Sequence, residues 1–231
     1  VLFKYRTLLE QEFDSICRTI SLEHGKTLGE SRGELQRGLE CVEYACGIPE
    51  LLKGEYLENI ARGIDCEVIR QPLGVCAGIT PFNFPAMIAM WMFPLAIASG
   101  NTFIFKPSEK VPLTSIRLIQ LLEQAGLPKG VLNLVHGGKE SVDTLLTHPD
   151  VRAISFVGST PVAKYIYETG TQNGKRVQAN GGAKNHVIIM PDADVKTSVD
   201  GIMGGAFGCA GERCMAIANA VCVGDASKTV L

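Results

Sequence analysis

The sequence lacks the charge and metal-binding patterns of several large protein classes. Its 22 Lys and Arg against 24 Asp and Glu give a formal net charge of −2, and the basic residues are scattered along the chain. A nucleic-acid-binding protein usually carries a basic patch or stripe, so we expect no nucleic acid among its partners. No C-x-x-C motif or paired Cys/His spacing occurs, and we therefore expect no bound metal.

The glycines also lack a familiar arrangement. Although the chain has 25 glycines, no two are separated by a single residue. The fingerprint G-x-G-x-x-G, which places a pyrophosphate at a helix N-terminus, is therefore absent. Any dinucleotide must be held by a different arrangement of loops.

Long uninterrupted apolar runs are lacking as well. The run PFNFPAMIAMWMFPLAIASG (81–100) has the length of a membrane span, which needs about 20 apolar residues. Three prolines interrupt it: Pro81 and Pro85 are expected to bracket a turn, and Pro94 to break the helix that follows. We predict a buried helix of a soluble core and no membrane partner.

The eight cysteines do not form the spacing pattern of a small disulfide-rich domain in this 231-residue chain. We interpret most of them as small buried hydrophobic residues in a reducing compartment. The chain starts at Val1, inside a helical pattern. We interpret it as a fragment of a longer protein of the cytoplasm or the mitochondrial matrix, with its targeting unreadable.

What is present is the pattern of an α/β fold. The first 25 residues have the pattern of one helix that ends at Gly25, and residues 33–47 repeat the helical pattern. Residues 53–72 then alternate like exposed strands. From Leu73 onwards, short apolar runs such as NTFIF and AISFVG alternate with helical stretches such as PLTSIRLIQLLEQAG. This alternation predicts a Rossmann-like parallel sheet with crossover helices.

Ligands collect at the carboxyl ends of parallel strands, so the loops after the apolar runs are the candidate sites. FVGST leads from a strand into a helix whose first turn has Ser159 and Thr160 as capping hydroxyls, an arrangement that favours phosphate but also occurs without any ligand. Lys106 and Glu109 in KPSEK are able to grip ribose hydroxyls, and a solvated loop is the alternative.

The motif GERCMA contains a candidate nucleophile, Cys214. Arg213 precedes it directly, and a neighbouring cation favours a thiolate, although a structural thiol fits these residues equally well. Cys209 has no charged neighbour and is expected in the core.

Together and in this order, TPFNFP, KPSEK, FVGST, NGGAKN and GERCMA resemble the NAD(P)-dependent aldehyde dehydrogenase superfamily over nearly the whole chain. The resemblance implies that Cys214 is the nucleophile and that Asn83, otherwise a turn residue, stabilises the oxyanion together with the backbone N–H of Cys214. It further implies an NAD site lined by Thr80, Phe82, Lys106, Glu109, Lys110 and Ser159.

The resemblance also implies a domain organisation. Residues 1–52 would be N-terminal helices of the NAD-binding domain, 53–72 a protruding oligomerisation arm, 73–184 the NAD-binding domain and 185–231 the start of an incomplete catalytic domain. Because subunits of the superfamily pair through such arms, we expect a homodimer or homotetramer of the full-length protein.

One departure from the family pattern bears on the reaction. Hydrolytic members carry Glu before the Gly-Gly of this segment as the base that activates water, and this sequence carries Asn180 there. An amide is no general base, whereas a thiol ionises near pKa ~8.5 against ~15.7 for water, a difference of about 10 kcal/mol. This points to coenzyme A as the acyl acceptor and to the CoA-acylating branch of the superfamily.

The segments QANGGAKNH and RCMA resemble a member of that branch, and this resemblance implies the substrates methylmalonate semialdehyde and malonate semialdehyde, small molecules whose carboxylate needs a cation. Arg37 and Arg213 match its arginine positions, although Arg37 alone looks like a solvated helix-face charge and Arg213 could instead stabilise the Cys214 thiolate. Glu212, where relatives commonly have Gln, would oppose that effect. The alternatives are a hydrolytic aldehyde dehydrogenase that produces a free acid and a non-catalytic NAD-binding protein.

Overall fold

The computed structural model describes residues 1–230 and has an α/β architecture. The strands are β1 (Glu55–Ala61), β2 (Ile64–Val68), β3 (Val75–Ile79), β4 (Thr102–Lys106), β5 (Leu132–Leu134), β6 (Val151–Val157), β7 (Arg176–Asn180), β8 (Asn185–Ile189) and β9 (Ile217–Cys222). The α-helices are α1 (Leu2–Gln11), α2 (Phe13–His24), α3 (Leu28–Cys46), α4 (Ile48–Leu51), α5 (Met87–Ala98), α6 (Pro112–Gln124), α7 (Lys139–Thr147), α8 (Thr160–Gln172), α9 (Val195–Phe207) and α10 (Ser227–Val230).

A five-stranded parallel sheet in the order β5-β4-β3-β6-β7 forms the centre of the fold. In its register Ala77 on β3 lies beside Ile104 on one side and Ile154 on the other. The chain winds outwards from β3 to β5 and then returns to place β6 beside β3, so the strand order reverses between β3 and β6. This arrangement confirms the predicted α/β fold with a parallel sheet.

Helices cover both faces of the sheet. On one face α1, α2, α3, α5 and α6 enclose the larger core, which includes Tyr5, Ile16, Leu35, Phe93 and Phe105. On the other face α7 and α8 pack Leu146 and Ile166 against Ile154 and Phe156. Apolar side chains that alternate between the two faces of a strand thus pack into two separate cores.

The N-terminal part of α3 is fixed by a capping box. The Thr27 hydroxyl accepts from the Glu30 backbone N–H, and the Glu30 carboxylate accepts from the Thr27 N–H, so each satisfies a donor that the first turn would otherwise leave free. Further along, Gly38 lets α3 approach α5, since a Cβ there would lie 2.2 Å from the Met90 Cε. The helix therefore lies directly against the segment that follows the TPFNFP loop.

Two expectations about helices were wrong. The N-terminal pattern forms two helices, because the backbone of Glu12 leaves helical geometry, and the bend lets both α1 and α2 contact α6. Pro94 lies inside α5 and does not break it. A proline there costs roughly 3 kcal/mol, and burial of side chains such as Met90 and Phe93 at about 1.5–3 kcal/mol each offsets this cost.

Residues 53–72 contain an antiparallel hairpin formed by β1 and β2, and every residue of both strands is exposed. Its exposed apolar side chains include Tyr56, Leu57 and Ile64. The strand pattern expected from the sequence is present, and the assignment of this hairpin as an oligomerisation arm stays a prediction.

The cysteines within residues 1–230 form no disulfide. Cys17, Cys76 and Cys209 are buried, four others are half-buried, and Cys66 on the hairpin is exposed. The expectation of mostly buried cysteines was therefore too broad. Across the described part of the chain, no helix combines the length and apolarity needed to span a bilayer, and no three potential metal ligands come together.

Candidate functional site

A cleft of about 610 Å³ opens at the carboxyl edge of the parallel sheet, next to the point where the strand order reverses. Its wall contains five of the six residues predicted to bind NAD: Thr80, Phe82, Lys106, Glu109 and Ser159. These residues end or follow β3, β4 and β6, and parallel strands bring their carboxyl ends to one edge of the sheet. The structure thus assembles three of the loops that the sequence singled out.

Thr80 and Lys106 present buried polar groups to this cleft. Thr80 is 4% exposed, and its Oγ1 has no hydrogen-bond partner among the described residues. The buried Lys106 donates from Nζ to Oε2 of the exposed Glu109 at 3.3 Å. Glu109's own backbone N–H, followed by Lys106 and Lys110, lowers the pKa of the Glu109 carboxyl and keeps it anionic.

Phe82 lies between a lysine and a histidine. The Nζ of Lys110 is 4.6 Å from the centroid of the Phe82 ring, and the ring of His24 stacks against Phe82 with centroids 6.2 Å apart. Lys110 is absent from the wall of the cleft and contacts it through Phe82. The His24 side chain is inaccessible, and its Nε2 lies 3.1 Å from Oε2 of Glu212.

The N-terminus of α8 points into the cleft through Gly158 and Ser159. The expected capping by Ser159 was wrong, since within the described residues its side chain makes no capping hydrogen bond to the start of α8. A capping hydroxyl normally bonds the second or third N–H of the helix, and the second position here is Pro161, which has none. Thr160 Oγ1 instead accepts from the Gly182 N–H at 2.9 Å. The helix end remains suited to an anion such as phosphate.

Asn83 lies in the loop between β3 and α5 and reaches the segment that contains Cys214. Its Nδ2 donates to the backbone oxygen of Glu212 at 2.7 Å, and its own backbone oxygen accepts from Lys26 Nζ at 2.6 Å. The amide predicted to stabilise an oxyanion is therefore directed at the cysteine loop. In this structure its hydrogen bond goes to a carbonyl of that loop.

The cysteine loop begins with a left-handed turn. Cys209, Ala210 and Gly211 have φ angles of 55°, 56° and 74°. For a residue with a Cβ this conformation costs roughly 1–2 kcal/mol. Glu30 at the start of α3 offsets part of the cost, because its Oε1 accepts the Cys209 N–H. Cys209 is 6% exposed, as expected of a core residue, and burial raises the pKa of its thiol.

Cys214 follows this turn and is half-buried. Asn185 at the start of β8 holds its backbone, since Nδ2 of Asn185 donates to the carbonyl oxygens of Cys214 and Ala216 at 3.0 Å each. Arg213 is half-buried, and its charge lies close enough to the Cys209 thiol to lower its pKa against the effect of burial. The thiol predicted to be the nucleophile is thus carried by a loop fixed at both ends.

Arg37 and Asn180 lie on α3 and β7, outside the cysteine loop. Arg37 is exposed on α3, and it follows Glu30 by about two helical turns, which places both on one helix face. Glu30 binds the cysteine loop, so Arg37 lies on the side of α3 that faces that loop. Asn180 ends β7 with an exposed side chain, and its backbone oxygen accepts the Gly158 N–H at 3.0 Å.

Sequence reasoning missed the residues that join the two loops. Lys26, Glu30 and Glu34 follow each other at intervals of four, the spacing of one helix face, and Asn185 lies inside the quoted motif NGGAKN. Charged residues at this spacing usually form a solvated face, and only the fold shows that Lys26 and Glu34 are buried.

Comparisons with known proteins agree with this geometry. The sequence profile of the aldehyde dehydrogenase family matches residues 1–231. A malonate-semialdehyde dehydrogenase of Pseudomonas aeruginosa is 62% identical over 225 residues, which cover 97% of this chain and 45% of the relative. Another, of Halalkalibacterium halodurans, is 56% identical over 231 residues, which cover 100% of this chain and 48% of the relative.

Solved structures give the same result. The crystal structure of a methylmalonate-semialdehyde dehydrogenase from Oceanimonas doudoroffii superposes with a TM-score of 0.95 at 59% identity and covers 98% of this chain and 46% of that one. A Sinorhizobium meliloti protein, provisionally described as a methylmalonate-semialdehyde dehydrogenase and complexed with NAD, gives 0.95 at 53% identity over 99% of this chain and 47% of its own. The chain thus spans about half the length of its relatives. With a matching profile over all 231 residues, the chain belongs to the aldehyde dehydrogenase family.

Proposed function

We propose that this chain is part of an NAD-dependent, CoA-acylating dehydrogenase of methylmalonate semialdehyde and malonate semialdehyde. The products are propionyl-CoA and acetyl-CoA, with loss of CO₂. The relatives at 62% and 56% identity are named malonate-semialdehyde dehydrogenases, which supports this substrate class. Asn180 is the observation that carries the CoA-dependent part of the proposal.

The cleft at the carboxyl edge of the sheet fits NAD. Its volume of about 610 Å³ supplies space, and the N-terminus of α8 supplies a phosphate site. The Thr80 hydroxyl, which has no partner within residues 1–230, supplies a free polar group. Lys106 and Glu109 would hold the adenine ribose, and Phe82, supported by Lys110, would form part of the wall. When bound, NAD supplies the acceptor for the hydride of the aldehyde carbon.

Cys214 would attack the aldehyde carbon through Sγ, forming a C–S bond while charge builds on the aldehyde oxygen. Asn83 Nδ2 and the Cys214 backbone N–H would donate to this oxygen, for which the Asn83 amide has to leave the Glu212 carbonyl. Each such donor is worth about 10²–10³ in rate. After loss of hydride, the acyl group is a thioester of Cys214.

Release of this acyl group would require a thiol. Asn180 has no basic group that could take a proton from water, so water has no activated route from this position. The CoA thiolate would attack the thioester carbon, the bond to Cys214 Sγ would break, and Cys214 would leave as a thiolate. A thiolate acceptor needs no base at this stage.

The substrate carboxylate would be held by Arg37 and Arg213 before it leaves as CO₂, and the carbon that it leaves takes up a proton. Arg37 lies on the α3 face that carries Glu30, and Arg213 lies directly before Cys214. A guanidinium matches a carboxylate with two parallel hydrogen bonds. Arg213 would also place a positive charge beside the Cys214 thiolate.

The assembly proposed for the full-length protein is a homodimer or homotetramer. The hairpin β1–β2 would serve as the pairing arm, since its exposed strands carry apolar side chains such as Tyr56 and Leu57. We propose with it that the N-terminal helices end at residue 52, the pairing arm at residue 72 and the NAD-binding domain at residue 184, where the catalytic domain begins. The relatives are bacterial, which favours the cytoplasm over the mitochondrial matrix.

The test is NADH formation from malonate semialdehyde by the full-length protein, with and without CoA. We expect turnover only with CoA, and without it a single burst that stops at about one NADH per active site. Asn180→Glu should restore a base and raise CoA-independent turnover by about 10²-fold or more. If the wild-type protein forms NADH equally fast without CoA, the hydrolytic alternative is correct. If it binds NAD but shows no burst, the non-catalytic alternative is correct.

A further inference from the structure

A buried ion pair lies directly behind the Asn83 loop and has no part in the chemistry described above. The side chains of Lys26 and Glu34 are both inaccessible, and Nζ of Lys26 lies 2.7 Å from Oε2 of Glu34. A buried ion pair is often no more stabilising than apolar side chains of similar volume, because both charges lose their hydration. The other hydrogen bonds of the pair are therefore the features to explain.

Both partners bind the backbone of the Asn83 loop. Lys26 Nζ donates to the Asn83 oxygen at 2.6 Å, and Oε1 of Glu34 accepts the N–H groups of Ala86 and Met87 at 2.8 and 3.3 Å. Lys26 Nζ also lies 3.9 Å from the centroid of the Phe84 ring. The loop is thereby held at Asn83 itself, at the next residue and at the start of α5.

The segment that contains Lys26 and Glu34 also holds the cysteine loop. Glu30, which lies halfway between Lys26 and Glu34 in sequence, accepts the Cys209 N–H. The loop that carries Asn83 and the loop that leads to Cys214 are therefore both anchored to the start of α3. A rigid element that holds both loops sets the distance between the amide and the thiol, and an error of about 1 Å can cost 10²-fold in rate.

We propose that Lys26 and Glu34 are positioning residues that fix the Asn83 amide for stabilisation of the oxyanion formed on attack by Cys214. The inference rests on the function proposed above and adds residues to it. Lys26 acts through the carbonyl of Asn83, and Glu34 acts through Lys26 and through the N–H groups of Ala86 and Met87. Neither side chain touches the reacting atoms.

A double-mutant cycle in the full-length protein tests this role. Asn83→Ala should lower the rate of the aldehyde-dependent NADH burst by about 10²–10³-fold. We expect Lys26→Met to lower the burst by about 10- to 100-fold in the wild-type background but by less than about threefold when Asn83 is already Ala. If Lys26→Met lowers the rate by the same factor in both backgrounds, it does not act through Asn83 and the proposal is wrong.

Lys175 offers a matched control for loss of a buried lysine. It is 6% exposed, and its Nζ donates to the backbone oxygens of His148 and Val151 at 2.6 and 2.8 Å, at the opposite edge of the sheet. Lys175→Met should lower the thermal midpoint as Lys26→Met does, yet leave the burst rate within about threefold of wild type. An equal loss of burst rate in both variants would mean general destabilisation and would overturn the proposal.

Glu34→Gln provides a second variant if Lys26→Met does not fold. The amide oxygen keeps an acceptor for Ala86 and Met87, while the loss of the charge weakens the hold on Lys26. We expect Glu34→Gln to lower the burst rate when Asn83 is present and to have little effect when Asn83 is already Ala. The rate of Cys214 alkylation by iodoacetamide should stay within about threefold of wild type. If Glu34→Gln lowers the burst rate by the same factor with and without Asn83→Ala, it does not act through Asn83 and the positioning role is wrong, while the proposed function stands. If the wild-type protein shows no burst, the proposed function is wrong and this inference fails with it.

Discussion

The sheet region (residues 73–184) and the cysteine region (residues 185–230) carry different parts of the site and are stabilised differently. In the sheet region Ile79, Phe105 and Phe156 lie in cores covered by helices on both faces. In the cysteine region only Ile189, Cys209 and Ala226 are buried among the side chains described, and α9 buries none. The cleft therefore rests on apolar packing, and the cysteine loop rests mainly on hydrogen bonds.

This difference determines which substitutions matter. The bonds that hold the cysteine loop come from Glu30, Asn83 and Asn185, and two of these three residues lie outside the cysteine region. Packed cores distribute their stability over many contacts, whereas a loop held by a few polar bonds responds to the loss of any one. Catalytic geometry should therefore be easier to damage than the cofactor cleft.

Cys214→Ala should have the largest effect, because it should abolish the chemistry of the cysteine region and leave NAD binding by the sheet region intact. We expect acyl transfer to fall by about 10⁴-fold or more, to background, while the Kd for NAD stays within about twofold, because the cleft residues are untouched. NADH formation and NAD titration of the full-length protein measure the two quantities. Cys222→Ala, on half-buried β9, is the control and should leave both unchanged. If the Cys214→Ala variant still turns over substrate, Cys214 is not the nucleophile.

Arg37→Ala tests whether α3 also serves the substrate. The KM for malonate semialdehyde should rise by about 10- to 100-fold and that for propanal by less than about twofold, since only the semialdehyde acid has a carboxylate to hold. The control is Arg32→Ala on the same helix, where Arg32 pairs with Asp14 at 3.1 Å. Equal changes for both aldehydes would rule out carboxylate recognition by Arg37.

The sheet region was largely predictable from sequence, and the contacts that connect α3 with the loops of the site were not. Apolar runs such as AISFVG and loops such as KPSEK are local signals, and strand order then brings their ends together. The pairing of Lys26 with Glu34, and of Glu30 with Cys209, depends on how α3 lies against distant loops. Burial of a charge is a tertiary property that no local pattern encodes.

The same reasoning explains the errors. Pro94 is tolerated inside α5 because packing outweighs a lost hydrogen bond, and at the start of α8 Pro161 removes one of the two N–H groups that a capping Ser159 could bind. Local propensity is a weak guide wherever tertiary contacts compete with it. The cysteine loop is the clearest case, since its left-handed turn includes Cys209 and Ala210, residues with no intrinsic preference for that conformation.

Asn185→Ala weakens the cysteine region from within. Loss of the amide leaves the carbonyls of Cys214 and Ala216 without this donor, which costs about 1–3 kcal/mol and loosens the nucleophile. We expect the NADH burst to slow by about tenfold, with NAD affinity unchanged. In the control Asn133→Ala, an exposed residue of β5 loses its bond to the Gly130 oxygen and the burst should be unaffected. A normal burst in Asn185→Ala would show that the loop needs no such support.

His24 contacts both regions, through Phe82 of the sheet region and Glu212 of the cysteine region. Burial and the charge of Lys26 lower its pKa below the usual 6.5, while Glu212 and Glu30 oppose this shift. Between the lowered and the usual pKa the unfolded chain binds more protons than the folded chain. Stability from this group is therefore complete above about pH 6.5 and is lost as the pH falls.

His24→Gln should therefore flatten the pH dependence of stability and have the smallest effect. The free energy of unfolding of the wild-type protein should fall more steeply between pH 7 and 5 than that of the variant, with a difference in slope of at most about 1.4 kcal/mol per pH unit, the limit for one proton. Urea unfolding across this range measures it, with the exposed His136→Gln as the control. Parallel curves for wild type and His24→Gln would mean that protonation of His24 does not loosen the contact between the sheet region and the cysteine region.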